Sequence, residues 1–386
     1  VGHGLASVWG DLLVLKSQIL PRVLIDARMV GRVPHGIARY VSRLAAGLRG
    51  LDQKLEWQAV FLVSPSWADP DFYGFEIVRT DIAFLARMEL FKLPIVIRAA
   101  GAALYHSPSF SSLPSWSLDC PWVQTIHDLN HLRFGNWKQK IYYRWLLRPF
   151  ARKAAALATV SAFSKTEIAP WLGVAPAQIE VVSNALEPEL LKQPSVEETA
   201  EVLARHGLEP QRYFFCLSND KPHKNLRLLV EAYRHYQKRT ETSRSLKLAL
   251  SVTEQPAFQA DGVQMVGALT DLDVRVLRAQ SVAVFFPSLY EGFGLPPVEA
   301  AIAGIPLVVS KIAPHLEGLQ DLGPSEALWL NPNDLEGWSR AFSLAQEGQI
   351  APASLESRHK ILARFSERSL ATHMDRIYRR VLALQA

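Results

Sequence analysis

Two glutamates eight residues apart, Glu291 and Glu299, lie in the most informative stretch of this chain, residues 285–310, FFPSLYEGFGLPPVEAAIAGIPLVVS. An apolar run ends at Pro287, Glu291-Gly292-Phe293-Gly294-Leu295 follow, and Pro296-Pro297 open a helical pattern. Proline suits the first helical turn, where its missing N–H has no partner to lose. Glycines ahead of a helix let the backbone approach a ligand closely. Free N–H groups and the helix dipole there favour an anion, and a diphosphate fits that description. Ionised carboxylates only accept hydrogen bonds, so the two glutamates suit the O–H donors of a sugar and a ribose. Plainer readings stand beside these: Glu299 complementing the helix dipole, glycines making a tight turn, or two acids paired as in a glycosidase.

Other residues with chemical potential also follow apolar runs. In Ser218-Asn219-Asp220-Lys221-Pro222-His223-Lys224-Asn225-Leu226, Lys221 and Lys224 occupy a strand-to-helix turn where they can neutralise phosphates, and Asn225 can begin the helix. An exposed polar turn is the alternative. Gly36-Ile37-Ala38-Arg39-Tyr40 follows the first run after a loop from Asp26, and His127-Asp128 closes another. A lone histidine at a strand end is more often structural than catalytic. No Asp-x-Asp triplet follows a strand, so no divalent metal site is expected.

Those positions presuppose a regular scaffold. Short β-branched and apolar runs recur at 22–25, 58–63, 75–78, 104–106, 122–127, 157–160 and 179–182. They continue at 213–217, 246–252, 263–266, 282–286, 306–309 and 327–330. Runs of this kind suit strands buried on both faces of a parallel sheet. Segments between them, such as 225–237, have helical periodicity and enough length to cross over. The expectation is an α/β protein of two doubly wound, Rossmann-like domains facing across a cleft. Their boundaries fall at 21–190 and 191–362, with helix-like 196–206 near the junction. Residues 363–386 form a C-terminal helix that could cross back to the first domain.

Composition narrows the classes. Of 386 residues, 49% are hydrophobic and 20% charged, which excludes a disordered chain. Two cysteines, Cys120 and Cys216, exclude a disulfide framework and favour a reducing compartment. No run is long and apolar enough to span a bilayer. Residues 1–20 read as a short helix or an expression remnant, not a signal peptide. The net charge of +5 lies wholly in the first half: residues 1–190 hold 20 Lys/Arg against 15 Asp/Glu, and 191–386 hold 22 of each. Residues 129–166 carry eight basic residues and no acid, with Trp137, Tyr142, Tyr143, Trp145 and Phe150 interleaved. Such a stretch suits an anionic lipid surface, nucleic acid or an acidic partner. A solvated surface helix with its aromatics turned to the core weighs equally.

The ordered set of strand, Glu291, Gly292-Phe293-Gly294, Pro296-Pro297, Glu299 and Ala303-Gly304-Ile305-Pro306 resembles the retaining glycosyltransferases of family 4. Those enzymes have the GT-B fold and a Glu-x7-Glu hallmark. The resemblance runs from about residue 22 to the C-terminus and takes in 218–226 and Ser161-Ala162-Phe163-Ser164-Lys165. It implies transfer of a hexose from a nucleoside diphosphate sugar with the anomeric configuration retained, without a metal or other cofactor. Under it, Glu291 and His127 contact the sugar, Glu299 the ribose, and Lys224 the diphosphate. Gly36 lies beside the sugar phosphate, and Gly292, Phe293, Gly294 and Leu295 form the donor loop. Where many relatives have an Arg in the diphosphate clamp this chain has Asn219, and Lys221 is the candidate substitute. Asn184-Ala185 replaces a common Asn-Gly.

Within the family the chain looks most like bacterial mannosyl- or rhamnosyltransferases of surface-polysaccharide and lipopolysaccharide assembly. This favours GDP-mannose as donor and a glycan or lipid-linked saccharide as acceptor. The expected location is cytoplasmic, peripheral at the inner face of the plasma membrane, with 133–153 near anionic lipid. Nucleic acid is not an expected partner. The rivals are a GT-B epimerase or phosphorylase, a non-catalytic protein that binds sugar nucleotides and, on the basic helix alone, a nucleic-acid-binding protein.

Overall fold

In the computed structural model residues 20–31, 36–51, 54–187, 189, 192–240 and 245–385 are described. The expectation for residues 1–20 therefore falls almost wholly outside them. Each of the apolar runs yields a strand: β1 Arg22–Asp26, β2 Gln58–Val63, β3 Glu76–Arg79, β4 Leu104–Ser107, β5 Trp122–Thr125, β6 Ala156–Thr159 and β7 Ile179–Val181. The second series is β8 Tyr213–Cys216, β9 Lys247–Leu250, β10 Val263–Met265, β11 Val284–Phe286, β12 Leu307–Ser310 and β13 Leu328–Leu330. About half of the strands are one to three residues shorter than their apolar runs, because side chains beyond a strand's end still pack into the core. The 122–127 run shows this clearly: β5 stops at Thr125, and His127 lies on the loop beyond it.

Two units emerge from the packing. One comprises residues up to Thr125, Leu146–Ala158 and the chain from Ala371 on; the other comprises Ile126–Trp145 and Thr159–Leu370. This differs from a single cut near residue 190. The loop after β5 and the helix after β6 pack with the second unit through hydrogen bonds described below.

In the first unit the strands stand in the order β3-β2-β1-β4-β5-β6, and the five pairings between them are parallel. The order reverses between β1 and β4. A buried polar cluster fills that point: Arg28 pairs with Asp26 at 2.7 Å and Glu89 at 3.0 Å, and Tyr105 donates to Asp26 at 3.1 Å. The final helix, Glu367–Ala383, anchors this unit through Trp57 Nε1 donating to Asp375 at 2.7 Å and Tyr378 bonded to His106 at 2.6 Å.

The second unit holds a parallel sheet ordered β10-β9-β8-β11-β12-β13. Alternate residues of β8 enter two cores. Phe214 and Cys216 pack with Leu248, Phe285 and Phe342 on one face; Tyr213 and Phe215 pack with Ala249, Val284 and Val309 on the other. Burial on both faces explains why β8 reads as a continuous apolar run. The order reverses between β8 and β11. Open α/β sheets bind ligands beyond the carboxyl ends of strands at such a switch point. Lys221 and Lys224 follow β8, and Glu291 follows β11, so the topology brings the two expected groups to one place.

Candidate active site

Lys224 ends a short 3-10 turn, Pro222–Lys224, whose tight geometry turns its ammonium toward the loop after β11. Its Nζ lies 2.7 Å from Glu291 Oε1, which also accepts a 2.7 Å hydrogen bond from Ser288. Burial pushes the Glu291 carboxyl up. The Lys224 ammonium, the His315 imidazole and the two hydrogen bonds outweigh it, and the net direction is below the usual glutamate value. Glu291 is therefore a half-buried carboxylate held ionised by its neighbours.

The glycines beside it are sterically required. A Cβ on Gly292 would lie 2.8 Å from Asp128 Cβ and Oδ2 and 3.2 Å from the His127 carbonyl oxygen. Gly294 has φ +87°, and its Cβ would meet His315 Cδ2 at 2.8 Å. Gly294 is the N-cap of helix Leu295–Ala303, and Leu295 begins that helix while packing on the core. The Gly292 carbonyl accepts from Ser161 Oγ at 2.6 Å and Ser164 Oγ at 3.0 Å. Ser161 also caps helix Ala162–Leu172, and Glu317 accepts from the amides of Ala162 and Phe163 at 2.6 and 3.0 Å. The 161–165 signature thus fixes the loop that carries Glu291 from behind.

Several expected residues need correcting or relocating. Phe293 is buried with its ring 5.0 Å from that of Phe365, so its side chain serves the core and leaves only backbone for a ligand. Asn225 occupies the N-cap of helix Leu226–Arg239 but does not cap it; at φ 57° its Nδ2 instead donates to the Pro332 carbonyl at 2.8 Å. Glu299 is only 5% exposed, and Arg278 Nη1 stands 3.6 Å from its Oε2. Gly36 starts helix Gly36–Arg49 in the first unit, where a Cβ would meet no atom of the described residues within 4 Å. Asn219 is exposed and accepts from the Lys221 amide at 3.3 Å. Exposed Lys221 borders two cavities. One of about 360 Å³ is shared with Asn225, Arg227 and Phe258; the other, about 140 Å³, is shared with Asn130, His131 and His223. His127 belongs to the same unit as Glu291 and Lys224.

The structure adds groups that the sequence did not single out. Asp128 accepts from the Asn130 amide at 2.8 Å. Burial, with Glu291 adding, raises its carboxyl above the usual range, while Asn130, Lys221 and Lys224 pull the other way. His315 is buried, with Nδ1 2.9 Å from the Ser310 carbonyl oxygen; that oxygen can only accept, so Nδ1 carries the proton. Its Nε2 has no hydrogen-bond partner among the described residues. Burial holds it below the usual histidine range against the opposing pull of Glu291. His223 is likewise driven down, to about 4, by burial and by Lys224. Tyr290 ties the unit together, donating to Glu167 at 2.7 Å and accepting from the Leu129 amide at 3.3 Å. Among the described residues no group of three or more His, Cys, Asp or Glu is placed to hold a metal ion.

The basic aromatic stretch divides. Tyr143 is buried, and Arg133 pairs with Glu167 and lies over the Tyr290 ring. Trp137, Ile141 and Trp145, four residues apart, are 67%, 49% and 75% exposed. Of the two readings of this stretch, aromatics turned to the core holds for Tyr143 and fails for both tryptophans.

Comparison with known proteins places this arrangement. Residues 34–190 match the Glycosyltransferase Family 4 model and residues 199–361 the Glycosyl transferases group 1 model. The O-antigen chain mannosyltransferase RfbU of Salmonella typhimurium is 25% identical over 62% of this chain and 64% of its own length. The O-antigen chain mannosyltransferase B of Escherichia coli is 28% identical over 61% and 63%. The Anabaena protein HepE, solved with UDP and glucose, superposes with a TM-score of 0.70 at 15% identity, over 93% of this chain and 99% of that one. The chain spans just under two thirds of the length of these curated relatives. It belongs to the family 4 glycosyltransferases and has their GT-B fold.

Proposed function

We propose that the protein is a retaining hexosyltransferase. Its donor is a nucleoside diphosphate sugar, GDP-mannose first, and its acceptor is a growing glycan or lipid-linked saccharide of surface-polysaccharide synthesis. The relatives named as O-antigen mannosyltransferases support the sugar and the setting. The observation that carries the reading is the Lys224–Glu291 ion pair at the switch point of the second sheet. An arriving diphosphate competes with Glu291 for the Lys224 ammonium. Lys224 then turns to phosphate oxygens, and the released carboxylate accepts from hydroxyls of the sugar. Lys221 at the cavity rim supplies a second positive charge.

Transfer breaks the bond from the anomeric carbon to phosphate oxygen and forms one to the acceptor oxygen, through an oxocarbenium-like state. Negative charge gathers on the leaving diphosphate, where Lys224, Lys221 and the start of helix Leu295–Ala303 stabilise it. The leaving phosphate takes the acceptor proton, so the step needs neither a metal nor a protein base. His127 contacts the sugar. The exposed Trp137–Ile141–Trp145 stripe and its neighbouring lysines and arginines meet the anionic membrane surface that carries the acceptor.

The test is to incubate the protein with GDP-mannose, other nucleoside diphosphate hexoses and a lipid-linked acceptor, and to assign the product's anomeric configuration by NMR. Transfer with retention, fastest from GDP-mannose, is expected. An inverted product, or an epimerised donor without transfer, would overturn the reading.

A further inference from the structure

Helix Glu89–Ala99 in the first unit has two apolar faces. Leu93 and Ile97 are buried in the core, while Phe91 and Ile95 point outward at 70% and 62% exposure, with Met88 just before the helix at 48%. Opposite stands Trp116 of the Ser115–Ser117 turn, 79% exposed, its ring edge-to-face with Phe150 at 5.7 Å. Between them lies an open groove of about 400 Å³ lined by Leu90, Phe91, Pro94, Ile95, Trp116 and Phe150. Apolar side chains gathered in this way mark an interaction surface, whereas singly scattered ones do not.

The charges around the groove select its occupant. Arg87 and Lys92 are exposed on or beside the helix, Arg98 lines the groove, and Arg148, Arg152 and Lys153 are exposed on either side of Phe150. The helix's own acid, Glu89, is buried and faces Arg28 at 3.0 Å; Asp119 pairs with Arg98. Tryptophan and phenylalanine above a ring of Lys and Arg match the boundary between acyl chains and anionic headgroups. A second copy would bring the same positive ring against itself. Among the described residues no helix is long and apolar enough to cross a membrane, and a surface contact needs none.

We propose that this groove, built by Phe91, Ile95, Trp116 and Phe150 and ringed by basic side chains, seats the first unit on an anionic bilayer. Phe91, Ile95 and Trp116 enter the headgroup boundary, and the arginines and lysines meet lipid phosphates. The contact needs neither donor nor acceptor, so it is tested apart from glycosyl transfer.

The full chain is floated with vesicles of phosphatidylcholine alone or mixed with phosphatidylglycerol. The expected result is binding to the mixed vesicles and a loss of about tenfold or more in partitioning for Phe91→Ser/Ile95→Ser/Trp116→Ser, with an unchanged melting curve. The triple change is also made in a Trp137→Ser/Trp145→Ser background, so that the second aromatic stripe cannot mask the loss. Quenching by brominated lipid should fall in Trp116→Phe. Three results would overturn the proposal: no binding of the wild type to anionic vesicles, equal partitioning of the triple variant in both backgrounds, or a wild-type dimer that the triple change converts to monomer.

Discussion

Gly292 and Asp128 approach so closely that neither tolerates an added atom between them: a Cβ on Gly292 would sit 2.8 Å from both Cβ and Oδ2 of Asp128. Gly292 is not among the residues with positive φ, so the requirement for glycine is steric and not conformational. Gly292→Ala must displace Asp128 or withdraw the loop that carries Glu291. Overpacking of this kind costs about 1–3 kcal/mol of stability. Misplacing the loop by about an ångström should lower turnover by about a hundredfold. Asp128→Gly removes the clashing atoms and should recover much of the stability in the double variant. Denaturant titration and initial rates check both; a Gly292→Ala protein equal to wild type in each would show that the close approach is dispensable.

On the proposed reading Lys224 and Glu291 meet different parts of the donor, so they should separate under mutation. Lys224→Ala removes a charge-assisted partner of the diphosphate and should weaken nucleoside diphosphate binding by about 10- to 100-fold. Glu291→Gln frees Lys224 from its 2.7 Å ion pair, so the same ligand should bind equally or more tightly while turnover collapses. Calorimetric titration of both variants with GDP reads the contrast. If Glu291→Gln weakens binding as much as Lys224→Ala does, the division of roles is wrong.

Stability should rise with pH through the weakly acidic range. Burial and the two neighbouring lysines hold native His223 at about 4, against an unfolded value of about 6.5. Between those values the unfolded chain binds more protons, which favours unfolding as the pH falls. His131 and His315 are shifted in the same direction, both mainly by burial. Asp128, raised by burial, acts oppositely, because stability from its protonated form is lost as the pH rises. The diagnostic is therefore a difference between proteins. The melting temperature of the wild type should climb from about pH 4 to 6.5 more steeply than that of His223→Gln, and parallel slopes would remove His223 as the source.

Most of the scaffold was legible in the sequence because a parallel sheet buried on both faces writes each strand as an apolar run. The rule that function follows strands led to Lys224 and Glu291, whose carriers β8 and β11 are neighbours although 67 residues separate the two side chains. The limits were those of local reading. Phe293, set between two glycines after a glutamate, reads as part of an exposed loop, yet its ring reaches Phe365 across the core. Asn225 is a favoured capping residue by type, but the Pro332 carbonyl claims its amide from 107 residues away. Asp128 and His315 both follow strands and could have been found by the same rule. Neither has a spacing partner in sequence; each acquires meaning only through Gly292 and Gly294.

Arg278 gives the second glutamate of the motif a partner that spacing could not suggest. It stands at the end of helix Asp271–Ala279, buried, with Nη1 3.6 Å from Glu299 Oε2 and no hydrogen bond from Nε or Nη1 among the described residues. Burial lowers its pKa against the opposing pull of Glu299. Removing the guanidinium takes a charged partner away from the buried Glu299 carboxylate, so Arg278→Ala should cost on the order of 3 kcal/mol. Arg278→Met/Glu299→Gln leaves no unpaired charge and should lie much closer to wild type. That double variant also tests the expected ribose contact, because it separates stability from binding. If Glu299 serves the ribose as well as the fold, GDP binding to the double variant should stay about 3- to 10-fold weaker after stability has returned. Recovery of both together would confine Glu299 to the fold.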